Sequence, residues 1–228
     1  MPSQPKGSSA EKNTKLVPGM IGQAMQGLAF WVGYQHLLLR DHELLEGSIT
    51  SELYRLMAHY TDCNILIEPE KLYTALGVPS IDAGNSRADL VVSGYPNEVE
   101  LKLARKTNKN KMLAANFYYV VEVKRALAPN FKITADIARL HKCLKAMPGG
   151  TRAFLLIVSQ ARKPRKINGF GDLVTKNGVA AKPSQSRIAV SGDFLVPIKI
   201  RRVCKASASF DAMKSNSAHY VVLIEVFA

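Results

Sequence analysis

Two apolar strand patterns on either side of one amphipathic helix pattern constrain the fold of this chain more than any other feature. Phe117–Arg125 and Arg152–Ser159 are rich in β-branched and other apolar residues, as buried strands are. Residues 133–144 between them carry apolar side chains at helical spacing, and the pattern ends at Pro148. A strand, a helix and a second strand in this order favour a crossover that places the two strands parallel in one sheet. We therefore predict an α/β fold.

Further periodic segments extend this sheet and add helices to it. Ser48 precedes apolar residues at helical spacing, and serine is a favoured residue at a helix N-cap. Residues 98–104 follow residues 88–93 across a turn, so these two segments are predicted to form a hairpin. The remaining predictions are a helix at residues 22–40 and strands at residues 64–68, 195–204 and 219–227.

The charge of the chain indicates a polyanionic partner. Its 228 residues include 31 lysines and arginines against 18 acids, which gives a net charge of +13; such a balance is typical of proteins that bind nucleic acid. With 47% hydrophobic residues, the chain is long and apolar enough to form a buried core. We predict a disordered polar tail at residues 1–18 and a single domain at residues 19–228, with a basic loop at about residues 160–192.

The cysteines and the apolar segments bear on the compartment. Cys63, Cys143 and Cys204 are widely spaced and form no metal-binding or redox motif, so we expect a reducing cytoplasm. Residues 20–39 form the most apolar long segment, but glutamine and histidine interrupt it, which argues against a membrane span. We therefore expect no membrane association.

Two opposite charges stand inside the strongest strand pattern. Glu122 and Lys124 are two residues apart, so their side chains point to the same face of an extended strand. They could form a simple ion pair, or they could be a metal ligand and a group that orients or activates a hydrolytic water. Asp89, near the start of an upstream strand, adds a second carboxylate, and carboxylates that leave room for water suit Mg²⁺.

These residues carry a resemblance to a known family. Arg87-Ala88-Asp89, then Glu122-Val123-Lys124 on a valine-rich strand, then the helix pattern at residues 133–144, resemble the PD-(D/E)XK nuclease superfamily over roughly residues 48–159. Ala88 stands where that superfamily has a proline. The resemblance implies a restriction-endonuclease-like fold, a mixed central sheet flanked by helices with an αβββαβ core. It also implies a metal-dependent endonuclease that hydrolyses phosphodiester bonds of DNA, with a role in restriction or phage defence.

The resemblance also assigns roles to residues of this chain. Asp89, Glu122 and the carbonyl of Val123 would bind Mg²⁺, with Mn²⁺ as an alternative, and Lys124 would position or deprotonate the attacking water. Glu52 is the glutamate we assign as the additional helical acid of the site. Glu43 and Glu46 are its competitors. An alternative motif, Glu100 with Lys102, has the same spacing and could replace Glu122 and Lys124.

Basic residues outside the motif are candidates for contact with the nucleic-acid backbone, which would hold the substrate without reading its sequence. They are Arg105, Lys106, Lys109, Lys111, Lys163, Arg165 and Lys166. One alternative function is a catalytically inactive nuclease fold that serves as a DNA-binding or assembly module. Another is an interaction protein whose first helix docks a partner subunit. For the nuclease, two cuts in a duplex would favour a homodimer.

Overall fold

The structure is a computed structural model that describes most of the chain. The predicted tail at residues 1–18 lies almost entirely outside the described residues, as does Glu100 of the alternative motif. The described residues are 17–39, 42–95, 102, 105–106, 117–164, 166–167, 170–182, 186–191, 194–207 and 218–228.

Four helices and seven strands are described, together with one turn of 3₁₀ helix at Tyr73–Leu76 that follows the first strand. The helices are α1 (Gly19–Leu39), α2 (Glu46–His59), α3 (Ser80–Ala83) and α4 (Asn130–Ala146). The strands are β1 (Ile65–Leu72), β2 (Arg87–Gly94), β3 (Phe117–Arg125), β4 (Arg152–Ser159), β5 (Arg187–Ser191), β6 (Phe194–Ser207) and β7 (Ala218–Val226).

The seven strands form one mixed sheet in the order β1-β2-β3-β4-β7-β6-β5. The strands β3 and β4 are parallel neighbours, in a register that opposes Tyr119 to Arg152 and Arg125 to Val158. All other neighbouring strands of the sheet are antiparallel. The predicted parallel pair and the α/β class are therefore confirmed, because α4 supplies the connection that a parallel pair requires.

Helices cover both faces of the sheet. One apolar cluster joins α4 to Val120 of β3, and the other joins α1 and α2 to Val121 and Val123 of the same strand. Because successive side chains of a strand alternate between faces, Glu122 and Lys124 share the α4 face with Val120. Full burial of each such valine contributes about 1.5–3 kcal/mol, so β3 is fixed firmly between the two layers.

Three sequence-based predictions need correction. Lys102 is helical and exposed, so the strand predicted at residues 98–104 is wrong at that position. The predicted loop at residues 160–192 contains β5, whose exposed and buried residues alternate at an edge of the sheet. The helix predicted with Ser48 as its N-cap begins three residues earlier, with Leu45 as its N-cap and no side-chain hydrogen bond there. In the part of the chain that the structure describes, no helix is long and apolar enough to cross a bilayer.

Candidate functional site

The strands β2 and β3 separate at Asp89, near the start of β2, and this point is the opening of the sheet. The pairing of β2 with β3 runs from Gly94 opposite Phe117 to Leu90 opposite Val121 and ends there. One residue further on, Asp89 Oδ2 accepts a hydrogen bond of 2.6 Å from the backbone amide of Val123. A carboxylate thus takes the place of the next ladder bond, and this brings it beside the end of β3.

The other neighbour of β2 departs from regular pairing at the same level. The register of β1 passes from Pro69 opposite Leu90 to Lys71 opposite Ala88, and Glu70 between them has a φ of 55°. A left-handed backbone at a residue other than glycine costs roughly 1–3 kcal/mol. The distortion therefore coincides with the position of Asp89, as is common beside functional sites.

Glu122 is a buried carboxyl group that faces a hydroxyl and a second carboxyl. Its side chain is 2% exposed, and the hydroxyl of Tyr73 donates a hydrogen bond of 2.5 Å to its Oε1. The carboxyl of Asp89 lies within hydrogen-bonding reach of it. Burial, and then the charge of Asp89, raises the pKa of Glu122 to about 8, although the Tyr73 hydroxyl and Lys124 oppose that shift.

Burial also raises the pKa of Asp89, against the opposing effect of the Val123 amide. Two carboxyl groups that share a site cannot both ionise without cost, so the pair retains a proton near neutral pH. Burial is the largest cause of both raised pKa values, and Lys124 lowers both only in part. To hold a divalent cation, Asp89 and Glu122 would have to release this proton.

Lys124 lies at the end of β3 between two acids from different layers. Its Nζ is 2.7 Å from Glu46 Oε1 on α2 and 3.2 Å from Asp136 Oδ2 on α4. It also donates to the carbonyl of Val123 at 3.1 Å. Among the described residues, the amine donates hydrogen bonds to Glu46 and to the Val123 carbonyl, and its ion pair with Asp136 is not a hydrogen bond. Because an ammonium has three donors, these contacts hold the amine beside Glu122 and leave one donor available.

The structure brings together most of the predicted site. Asp89, Glu122 and Lys124 converge, with the Val123 carbonyl beside the amine. Glu52 does not join them: it makes a two-bond pair with Arg55, at 2.6 and 2.8 Å. Among the described residues, Glu46 is the helical glutamate that contacts Lys124, so the geometry selects a competitor and not Glu52.

Two residues of the cluster were not predicted as part of it. Tyr73 is fully buried in the 3₁₀ turn after β1, and its bond to Glu122 spans 49 positions of sequence, which no local pattern reveals. Asp136 is also fully buried, where it contacts Lys124 and pairs with Arg139. The sequence did contain a signal for Asp136, since it is an acid next to Ile137 on the apolar side of α4.

The basic residues predicted to contact nucleic acid are on the surface where they are described. Arg105, Lys106, Lys163 and Lys166 are exposed. Lys109, Lys111 and Arg165 lie outside the described residues. Contact of these side chains with a nucleic-acid backbone stays a prediction.

The residues at the opening of the sheet fit a hard divalent cation. Within the described ranges, no group of three or more histidine, cysteine, aspartate or glutamate side chains forms a metal cluster. Asp89 and Glu122 offer two carboxyl groups and Val123 a carbonyl oxygen, and Mg²⁺ is commonly held by one or two carboxylates with water completing its octahedron. The under-compensated charge of the pair is the observation that favours such an ion.

Comparison of the chain with protein-family models, with curated proteins and with solved structures finds no match.

Proposed function

We propose that this protein is a Mg²⁺-dependent nuclease of the PD-(D/E)XK type that hydrolyses phosphodiester bonds of DNA. One observation carries the proposal: Asp89, Glu122 and Lys124 meet at the point where β2 separates from β3. Apart from the 3₁₀ turn and the short α3 between β1 and β2, the order α2, β1, β2, β3, α4, β4 further supports a restriction-endonuclease-like fold with an αβββαβ core. The net charge of +13 suits a phosphate backbone as substrate.

In this proposal Asp89, Glu122 and the carbonyl of Val123 hold Mg²⁺, or Mn²⁺ in its place. When bound, the cation supplies Lewis-acid stabilisation of the charge that develops on the phosphate oxygens. Tyr73 fixes one oxygen of Glu122 through its hydrogen bond. That bond keeps the carboxyl in a single orientation, as hydrogen bonds to ligating groups generally do.

Lys124 acts on the attacking water in this proposal. Its contacts with Glu46 and Asp136 suit an ammonium that donates a hydrogen bond and positions the water, rather than a free amine that removes a proton. Glu46, 2.7 Å from the amine, is the carboxylate we assign to accept the proton that the water loses. As the helical acid of the site, Glu46 thus takes the place that we predicted for Glu52.

A second candidate is a nuclease-like fold that binds DNA without cutting it. The bond from the Val123 amide to Asp89 and the bond from Tyr73 to Glu122 favour it, because each already gives one oxygen of the pair a protein partner. To the nuclease proposal also belong a role in restriction or phage defence, a homodimer or partner subunit, and a reducing cytoplasm for the free thiols of Cys63, Cys143 and Cys204.

Cleavage assays on point variants separate the two candidates. Plasmid, single-stranded DNA and RNA are each incubated with the full chain in Mg²⁺ or in EDTA. We expect the parent to cut DNA only with Mg²⁺, and Glu122→Gln and Lys124→Ala to lose about 10²–10⁴-fold in rate. The controls are Glu52→Gln and Lys199→Ala, of which the second removes an exposed lysine on β6. If Glu122→Gln and Lys124→Ala fold, by circular dichroism, and cut as fast as the parent, the nuclease assignment is wrong.

A further inference from the structure

A cleft of about 350 Å³ lies beside the candidate site, at the ends of β3 and β4 that follow Lys124 and Val158. Its floor is apolar and includes Ile49, Ala126 and Val158. Its polar and charged lining residues include His36, His42, Glu43, Arg125, Gln160 and Arg162. Its volume is at the lower end of the range found for small-ligand pockets.

The charge of the cleft is positive at its rim. Glu43 bridges two arginines: its Oε2 is 3.0 Å from Arg125, and its Oε1 is 3.5 Å from Arg162. The two cations and one anion leave one positive charge in excess. Each guanidinium has five N–H donors, so one shared carboxylate takes only a part of the donors that the two arginines present. Such a pair is suited to an oxyanion with several acceptor oxygens.

Gln160 adds a donor that lacks an acceptor. Its Oε1 accepts a hydrogen bond of 2.9 Å from the amide of Leu44, which fixes the side-chain amide in one orientation. Its Nε2 is then buried and has no hydrogen-bond partner among the described residues. An amide nitrogen buried in this way is costly. An oxygen delivered into the cleft would satisfy it after a small shift of the side chain.

The cleft and the candidate site are formed in part by the same two segments of chain. Arg125 follows Lys124 directly in β3, and the segment that carries Glu43 to Arg125 also carries Glu46 to Lys124. Because Arg125 and Lys124 point to opposite faces of β3, a nucleic-acid strand with one phosphate at Asp89 and Glu122 would reach the arginines by passing around the end of β3.

We propose that this cleft binds a phosphate group of the substrate strand next to the phosphate that is cut. The proposal rests on the proposed function and adds a second contact that positions the strand. The bound group is either a terminal phosphate monoester or an internal diester. Arg162 and Arg125 hold its oxygens, Gln160 donates to one of them, and Glu43 competes with it for the arginines.

Binding measured in EDTA tests the proposal without cleavage. Three fluorescent single strands of one sequence are used: one with a 5′-phosphate, one with a 3′-phosphate and one with hydroxyls at both ends. We expect Arg162→Ala to weaken binding by about tenfold or more and to reduce the slope of log K against log salt by about one. The matched control is Arg187→Ala, an exposed arginine on β5 at the far edge of the sheet, which we expect to change binding by less than about twofold.

A second variant acts in the opposite direction, so loss of structure cannot imitate it. Glu43→Gln removes the competing charge, and we expect binding several-fold tighter than that of the parent. Its control is Asp62→Asn, which likewise neutralises an exposed acid, just before β1. We expect this control to bind as tightly as the parent.

The outcomes are distinct. A loss confined to one phosphorylated strand identifies a terminal monoester, and an equal loss on all three strands identifies an internal diester; either supports the proposal. Equal affinities for Arg162→Ala and Arg187→Ala, no tightening by Glu43→Gln, or a parent that binds none of the strands overturns it. Because cleavage is measured separately, Glu122→Gln cutting at the parental rate would remove the nuclease assignment and leave this phosphate site intact.

Discussion

The buried carboxyl of Glu122 makes the stability of the metal-free protein depend on pH in a predictable direction. Its pKa is raised from 4.5 to about 8 by burial and by the charge of Asp89. Below about pH 4.5 the group is protonated in both the folded and the unfolded chain. Between about pH 4.5 and 8 only the unfolded chain loses the proton, so the free energy of unfolding falls as pH rises. Above about pH 8 both states are ionised and the fall ends.

The size of this effect follows from the pKa difference. Each unit of pKa corresponds to about 1.36 kcal/mol, so the full window from 4.5 to about 8 amounts to about 5 kcal/mol. About 2 kcal/mol of it falls above pH 6.5. His219 contributes in the opposite direction below that point, because burial and then His36 lower its pKa from 6.5 to about 4. Measurements above about pH 6.5 therefore isolate the carboxyl pair.

Urea unfolding in EDTA at several pH values between about 6.5 and 8.5 measures the effect. We expect the parent to lose about 2 kcal/mol over this range and Glu122→Gln, which mimics the neutral acid, to lose much less. The control is Glu52→Gln, which changes an acid that is 9% exposed and paired with Arg55. We expect its free energy of unfolding to fall with pH as steeply as that of the parent. Mg²⁺ should stabilise the parent at the higher pH and leave Glu122→Gln unchanged. Equal slopes for the parent and Glu122→Gln would refute the reasoning.

Two further predictions concern the hydrogen bond from Tyr73 to Glu122 and the packing of Gly94 in β2. Tyr73→Phe removes a hydrogen bond that lowers the pKa of Glu122, so we expect the acidic limb of the pH profile of kcat/KM to move to higher pH; an unmoved limb would contradict the assigned role. Gly94→Ala puts a Cβ 2.1 Å from the Phe117 ring, and we expect a loss of about 1–3 kcal/mol in urea unfolding. Gly47→Ala, with open space around it, is the control and should be neutral or stabilising; similar losses in both would contradict the packing argument.

Much of the sheet is predictable because its strands are buried on both faces. Continuous apolar runs give Phe117–Arg125 and Arg152–Ser159 the bounds that the structure has. The strand β5 was missed because Arg187–Ser191 is short and follows a polar stretch, so its only signal is a few alternating residues at an edge. Burial on both faces leaves a strong record in sequence, and an edge strand leaves a weak one.

The site is predictable in part, for a different reason. Glu122 and Lys124 were found because charges stand out in an apolar strand. The choice between Glu46 and Glu52 depended on where α2 begins, and that helix starts without a side-chain cap. A start at Glu46 puts the first acid of the helix beside Lys124. The contribution of Tyr73 follows only from the way the 3₁₀ turn packs under β3, which no local pattern encodes.

A comparison of two buried glutamates explains why one of them is a candidate for function. Glu225 in β7 is 4% exposed, and two guanidinium groups, those of Arg152 and Arg201, bind its oxygens. Glu122 is 2% exposed and instead faces a hydroxyl and another carboxyl. Burying a charge is tolerable when it is paired and hydrogen-bonded, so Glu225 is accounted for by structure alone. The Tyr73 hydroxyl and Lys124 offset the cost at Glu122 only in part, and the proposed Mg²⁺ would supply the remaining positive charge.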